Sequence, residues 1–158
     1  MREKVIVRGI LVGNQRVSDL VIKNGKVIRI ARAGRQRADL GSPAAIIAPT
    51  LFDIQVNGAC GINLQGSEVQ PEDIERINEY LASQGVSHWI PTLITGPGEA
   101  MEHGCRVVAK ALRDRRLARA IPGLHLEGPY ISPEDGPRGA HPKAHVRPPD
   151  LREFDRMM

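Results

Sequence analysis

The sequence predicts an α/β fold in two parts, with residues 1–48 as a small β domain and residues 49–158 as the opening stretch of a parallel sheet crossed by helices. Two patterns predict it. Over the first forty residues, short β-branched runs alternate with glycine-containing turns, the grammar of antiparallel strands. From residue 45 onward, near-continuous apolar runs of strand length alternate with amphipathic helical stretches. Strand, helix, strand, helix, strand is the order of a parallel sheet with right-handed crossovers, and apolar strands suit a sheet covered on both faces.

Each element has its own signal. Val5-Ile6-Val7, Ile10-Leu11-Val12, Asp19-Leu20-Val21-Ile22 and residues 26–30 are the first strands, separated by Gly9, Gly13-Asn14 and Asn24-Gly25. Asn-Gly predicts a two-residue hairpin, because both central positions of that turn require positive φ. Residues 32–42 are polar and aperiodic, which reads as a loop out of a small antiparallel sheet. Ala45-Ile46-Ile47-Ala48-Pro49 then leads into a strand over 51–57, ended by Gly58-Ala59-Cys60-Gly61. The spacing predicts a helix over 71–81, with Pro71 and acids in its first turn, Ile74, Ile77 and Leu81 on one face and Gly85 closing it. A strand over 88–94 and a helix over 98–117, carrying Met101, Cys105, Val108 and Leu112, follow. Residues 121–127 are the third strand, and proline and glycine dominate from Gly128 through Pro149. A loop of that length in a compact domain is a functional candidate.

Composition excludes several classes of function. With 41% hydrophobic and 25% charged residues, this is a chain that folds around a core. Trp89, two Tyr and two Phe are the only aromatics, too few for stacking along single-stranded nucleic acid. The net charge of +4 hides an imbalance, because residues 1–41 hold ten Lys/Arg against three Asp/Glu and the remainder twelve against fifteen. Alternating strand positions exposed to water carry such an excess without binding nucleic acid. No apolar run reaches the ~18 residues of a membrane span, no secretory leader precedes Cys60 and Cys105, and a reduced, cytoplasmic protein is expected.

In α/β folds ligands gather at the carboxyl ends of parallel strands. Three such ends are legible: Gln55-Val56-Asn57-Gly58, Thr92-Leu93-Ile94-Thr95 and His125-Leu126-Glu127-Gly128-Pro129. Glu127 carries most weight, since a carboxylate ending an apolar strand needs a counter-ion, either a bound cation or one of the chain's arginines. His125 alternates with Glu127 and shares its face, as a second ligand or as a core histidine bonded to backbone. Gln55 and Asn57 share a face by the same rule. Amides are weak metal ligands, so these two orient a substrate or water, or merely cap a strand. His141 and His145 stand four apart, but Pro142 argues against a helix presenting both to zinc and favours one loop histidine over a site. Cys60 has no partner base in view and reads as a small apolar residue. There is no phosphate-cradling loop and no nucleophile elbow.

Taken together, four blocks resemble a known family. Residues 53–58 (Asp-Ile-Gln-Val-Asn-Gly), 91–95 (Pro-Thr-Leu-Ile-Thr), 123–130 (Gly-Leu-His-Leu-Glu-Gly-Pro-Tyr) and 139–142 (Gly-Ala-His-Pro) look like the successive signatures of the N-acetylglucosamine-6-phosphate deacetylases, members of the amidohydrolase superfamily. The resemblance implies a distorted (β/α)8 barrel, with residues 1–48 forming the N-terminal part of a small β-sandwich and residues 49–158 about the first three strand-helix units of the barrel. It implies Glu127 as metal ligand, Ala140 (through its backbone) and His141 as substrate contacts, and Gln55, Asn57 and His125 as residues lining the site. Many amidohydrolases have His-x-His where this chain has Gln55-x-Asn57, so the implied cofactor is a single divalent metal ion, zinc. Pro49-Thr50-Leu51-Phe52-Asp53 departs from the family's usual Pro-Gly-Phe-Ile-Asp, which unsettles the start of the first barrel strand only.

Length sets the limit on this reading. A barrel of this kind takes about 250 residues, and the chain has 158. The two histidine ligands, the general base and the phosphate-gripping groups that the resemblance implies are therefore expected beyond Met158, leaving no catalytic residue within the chain. The implied whole enzyme is cytoplasmic and homodimeric, takes a small amino-sugar phosphate and has neither nucleic-acid nor membrane partners. Metal-assisted attack of hydroxide on the acetamide would give acetate and an amino-sugar phosphate. Two alternatives stand beside it: another amidohydrolase such as a cyclic amidase, and an inactive half that only associates with a partner to complete a barrel.

Overall fold

The computed structural model describes residues 4–158. The chain divides into two compact units, Met1–Pro49 and Thr50–Met158.

In the first unit, β1 (Lys4–Leu11), β2 (Val17–Lys23), β3 (Lys26–Arg32) and β4 (Leu40–Ile47) form one sheet in the order β3-β2-β1-β4. The Asn24-Gly25 turn is as expected, with φ of 50° and 73° and Lys23 paired to Lys26. Gly9 does not divide two strands. It lies inside β1, where a Cβ would come within 2.7 Å of the Ala45 carbonyl oxygen, so its function is to admit β4. That strand corrects the sequence reading: residues 40–47 neither form a loop nor lead into the next sheet. They run parallel to β1, which makes the sheet mixed rather than antiparallel. The register breaks between Arg8 opposite Gly41 and Ile10 opposite Ile46. The break accommodates Pro43, which has no N–H to contribute to a ladder.

Arg8 and Asp19 stand opposite each other on β1 and β2. Arg8 Nε and Nη2 donate to the two Asp19 carboxylate oxygens at 2.7 and 2.9 Å, and the Gly34 N–H adds a third bond at 3.0 Å. Led by the Arg8 hydrogen bond, these hold the Asp19 pKa down to about 2 from 3.8. A carboxylate depressed on folding stabilises the fold above its unfolded pKa, and that contribution is lost as pH falls from about 5 towards 2. Asp19→Asn should therefore flatten the acid limb of stability in this window. Chemical denaturation midpoints at pH 7 and near pH 2.5 test this, and an unchanged difference between them would exclude Asp19 as a source of acid sensitivity.

The second unit is built on a three-stranded parallel sheet, β5-β8-β9, formed by β5 (Leu51–Val56), β8 (Val86–Ile94) and β9 (His125–Glu127). Between β5 and β8 lie the short ribbon β6 (Gly58–Ala59) and β7 (Ile62–Asn63) and helix α1 (Pro71–Ser83). The glycine-rich stretch thus folds as a second tight hairpin, with Cys60 and Gly61 at φ of 56° and 76°. Pro71 begins α1, and the Gln70 N–H donates to Asp73 at 3.0 Å, which satisfies the helix entry.

Where one helix is predicted over 98–117 there are two, α2 (Gly98–Ala111) and α3 (Arg115–Ala120). Asp114 breaks the run because its carboxylate accepts the Arg116 N–H at 2.7 Å and starts a new helix. Trp89 and Leu93 of β8 are fully buried against Ile74, Ile77, Met101, Cys105 and Val108. At Gly104 of α2 a Cβ would sit 2.8 Å from the Leu93 side chain, so this glycine brings helix and sheet together. Among the described residues both β5 and β9 are edge strands. Leu51, Phe52 and Ile54 of β5 are 62, 52 and 67% exposed, more apolar surface than an edge strand normally leaves in water. Among the described residues no helix is long and apolar enough to cross a membrane, and Cys60 and Cys105 are free thiols.

After β9 the chain makes turns, a short 3-10 segment (Lys143–His145) and a further helix, α4 (Leu151–Met157), which the sequence reading did not find. Arg147 ties this region down. Its Nε bonds to both Glu153 oxygens at 3.1 and 2.9 Å, and its Nη1 to the Gly96 and His145 carbonyls at 3.0 and 2.6 Å. Tyr130 Oη adds 2.9 Å to Glu153, and the Arg147 hydrogen bonds hold the Glu153 carboxyl below its ordinary range. Hydrogen bonds to a charged group in such a setting contribute about 1.5–3 kcal/mol. Glu153→Gln should accordingly destabilise the second unit by about 2 kcal/mol. A calorimetric midpoint equal to that of the parent would show that the clasp contributes nothing.

Candidate active site

The carboxyl ends of β5 and β8 and of the short β9 open on one side of the second unit onto a cavity of about 610 Å³, lined by Gln55, Asn57, Glu127, Arg138, Ala140 and His141 among others. Strand order explains the gathering. Parallel pairing sets Ile94 beside Glu127, and the irregularity of β5 between Asp53 and Val56 turns Gln55 towards the same place.

Glu127 is the centre of the arrangement. Gln55 Nε2 donates to its Oε2 at 2.6 Å, and His141 Nε2 stands 3.7 Å from its Oε1. The carboxylate is thus oriented by an amide, pairs with no arginine among the described residues, and turns its other oxygen towards His141. His141 comes from the loop after β9, and its Nδ1 lies 2.9 Å from Thr95 Oγ1. Arg138 Nη1 donates to the His141 carbonyl at 2.6 Å and Nη2 to Asp135 at 2.6 Å, which fixes the turn that carries Gly139 and Ala140. Gln65 Nε2 donates to the Ile94 carbonyl at 2.8 Å and steadies the end of β8.

Five of the predicted residues, Gln55, Asn57, Glu127, Ala140 and His141, therefore meet in one cavity, and His125 does not line it. One alternation step below Glu127, His125 lies about 6–7 Å down the strand, with Nδ1 at 3.5 Å from Thr92 Oγ1. His145 is also outside the lining, because Pro142 and the 3-10 segment turn the chain between the two loop histidines. Sequence reasoning gave no role to Arg138, Gln65 or Thr95. Of these, only Thr95 had a signal, its position at a strand end.

One carboxylate with amide and imidazole neighbours could offer a divalent metal ion a single anionic ligand, short of the three protein ligands of a catalytic site. Among the described residues no group of three or more His, Cys, Asp or Glu side chains is placed to hold a metal ion.

Comparison with known proteins shows what the whole chain resembles. No family model matches the chain. Human N-acetylglucosamine-6-phosphate deacetylase is 33% identical over 137 residues, covering 82% of this chain and 32% of the human protein. A solved Mycobacterium smegmatis N-acetyl-D-glucosamine-6-phosphate deacetylase mutant, in complex with N-acetyl-D-glucosamine-6-phosphate, superposes with a TM-score of 0.78 at 25% identity, covering 98% of this chain and 40% of that one. The chain is a relative of the N-acetylglucosamine-6-phosphate deacetylases. The Bacillus subtilis deacetylase of that name is 27% identical over 98% of the chain, and an Escherichia coli O157:H7 N-acetylgalactosamine-6-phosphate deacetylase is 26% identical over 73%. The chain spans about a third of the length of the human deacetylase and 41% of the Bacillus subtilis one. The α/β fold is shared with the solved deacetylases, the Thermotoga maritima enzyme included at a TM-score of 0.69.

Proposed function

We propose that these residues form part of an enzyme that hydrolyses the acetamide of N-acetylglucosamine 6-phosphate to glucosamine 6-phosphate and acetate. The observation that carries this reading is the single cavity in which Glu127, Gln55, Asn57, Ala140 and His141 converge, in a chain related to deacetylases of that name. On this reading residues 1–48 are part of a small β-sandwich, and residues 49–158 are about the first three strand-helix units of a (β/α)8 barrel. Both open edges of the second sheet fit that assignment, since a closed barrel has none.

Within the site, Glu127 supplies one anionic metal ligand, and the other ligands come from outside the described residues. A divalent ion, zinc, would supply Lewis-acid polarisation of the amide carbonyl and a nucleophile at neutral pH. The chain's own groups orient and bind. The Gln55 amide fixes the plane of the Glu127 carboxylate, the Ala140 backbone and His141 contact the sugar, and the Arg138 bonds hold their turn. The whole enzyme is a cytoplasmic homodimer on the same reading.

The test uses a longer protein containing these residues. It should release acetate from N-acetylglucosamine 6-phosphate faster than from the galacto epimer, and elemental analysis should find one metal ion per site. Neutral amides at 55 and 57 bind a divalent cation far more weakly than imidazoles would, so two tightly held ions per chain would overturn the assignment of Gln55 and Asn57. Absence of acetate release would overturn the function.

A further inference from the structure

We infer that Thr95 is the positioning residue of this site: its hydroxyl donates to Nδ1 of His141 and fixes the imidazole as the tautomer whose Nε2–H faces Glu127 and the cavity. Thr95 is 2% exposed. Its Oγ1 lies under the turn at Gly128, where φ is +129° and a Cβ would come within 2.1 Å of that oxygen. The missing side chain at 128 is what leaves room for the hydroxyl. Among the described residues its hydrogen-bond partner is His141 Nδ1, at 2.9 Å.

The direction of that bond follows from the other side of the ring. A neutral imidazole has one N–H and one acceptor nitrogen, and a carboxylate only accepts. Nε2 stands 3.7 Å from Glu127 Oε1, while Glu127 Oε2 is already taken by the Gln55 amide. If Nδ1 carried the proton, the Nε2 lone pair would face the carboxylate, acceptor against acceptor. With the proton on Nε2, donors and acceptors are matched: Thr95 O–H bonds to Nδ1 and Gln55 N–H to Oε2, while Nε2–H faces Oε1 at 3.7 Å, an electrostatic contact longer than a hydrogen bond. Unlike the carboxylate or carbonyl that usually orients a histidine, a threonine hydroxyl can donate, so it supplies the donor that Nδ1 needs in this tautomer, and without it a buried acceptor would stand unpaired. The consequence for ligands rests on the function proposed above: His141 offers a hydrogen-bond donor to an oxygen of the sugar, and Thr95 aims it.

The experiment is a long-range proton-nitrogen correlation spectrum of the 15N-labelled 158-residue chain, recorded at about pH 8.5, some two units above the ordinary imidazole pKa. His141 is assigned by the signals lost in His141→Asn. The indole N–H of Trp89, bonded to Asn78 at 3.1 Å, reports the native fold in every variant. The parent should show a protonated Nε2 and an unprotonated Nδ1. Thr95→Val should move the two nitrogen shifts towards each other as the tautomers mix, and Thr95→Ser should restore the parent pattern. Thr95→Ala gives the same reading if the valine variant loses the Trp89 signal. A parent spectrum with Nδ1 protonated or averaged shifts would overturn the inference, as would a Thr95→Val or Thr95→Ala protein that keeps a single Nε2–H tautomer. This readout is independent of turnover. The expected tautomer in a longer protein that releases no acetate would remove the function and leave Thr95 in its role.

Discussion

Supplied with zinc and N-acetylglucosamine 6-phosphate, the 158-residue chain by itself should release acetate no faster than the uncatalysed reaction. Catalytic zinc sites use three protein ligands and an open position, and the described residues contain no group of three metal-binding side chains. Of the machinery proposed above they provide Glu127, its orienting amide Gln55 and the His141 loop. The proposed general base lies outside them. Hydrolysis without it would have to proceed without general-base assistance, typically worth 10²–10⁴-fold, on a site that holds its metal poorly. The assay is acetate release by the purified chain with and without a chelator. Metal-dependent turnover by the pure chain would mean that the described residues form a whole site, and the partial-barrel reading would fail.

In a longer protein that contains these residues, Glu127→Gln should lower kcat/KM by more than about 100-fold, and metal content should fall with it. Loss of a group that merely orients a ligand costs about 10–100-fold in metal affinity or activity, so loss of the ligand itself should cost more. Glutamine preserves the shape of the side chain and removes its negative charge. It also presents an N–H to the Gln55 amide, which now donates to Oε2 at 2.6 Å, so one of the two amides must turn. Metal analysis and kinetics on the same preparation decide the matter. A variant that keeps both metal and rate would demote Glu127 to a strand-end acid held by Gln55.

Much of the fold was legible because its signals are local. Asn24-Gly25 specifies its hairpin through two positive φ values, and Pro71 with Ile74, Ile77 and Leu81 specifies a helix and its buried face. Strand β4 was not legible, because Gly41 and Pro43 disguise it and its partner β1 is more than thirty residues away. The break between α2 and α3 depends on whether the Asp114 carboxylate caps Arg116, a choice that a continuous apolar stripe does not reveal. In the site, Glu127 and the Gln55–Asn57 pair were visible as polar residues at the ends of apolar strands, whereas Arg138 lies in a loop with no period to mark it.

The sequence by itself determined which residues end the strands, where the Asn24-Gly25 turn requires positive φ and which four blocks resemble a deacetylase, since each depends on neighbours within a few positions. Only the tertiary structure decided that Gln55, Glu127 and His141, drawn from segments up to 86 residues apart in number, line one cavity that His125 does not line, with the buried Thr95 hydroxyl bonded to His141. The physical reason is that parallel strands are joined through crossovers, so the register that sets Ile94 beside Glu127 comes from helices packing on a sheet, a long-range outcome that no local pattern contains.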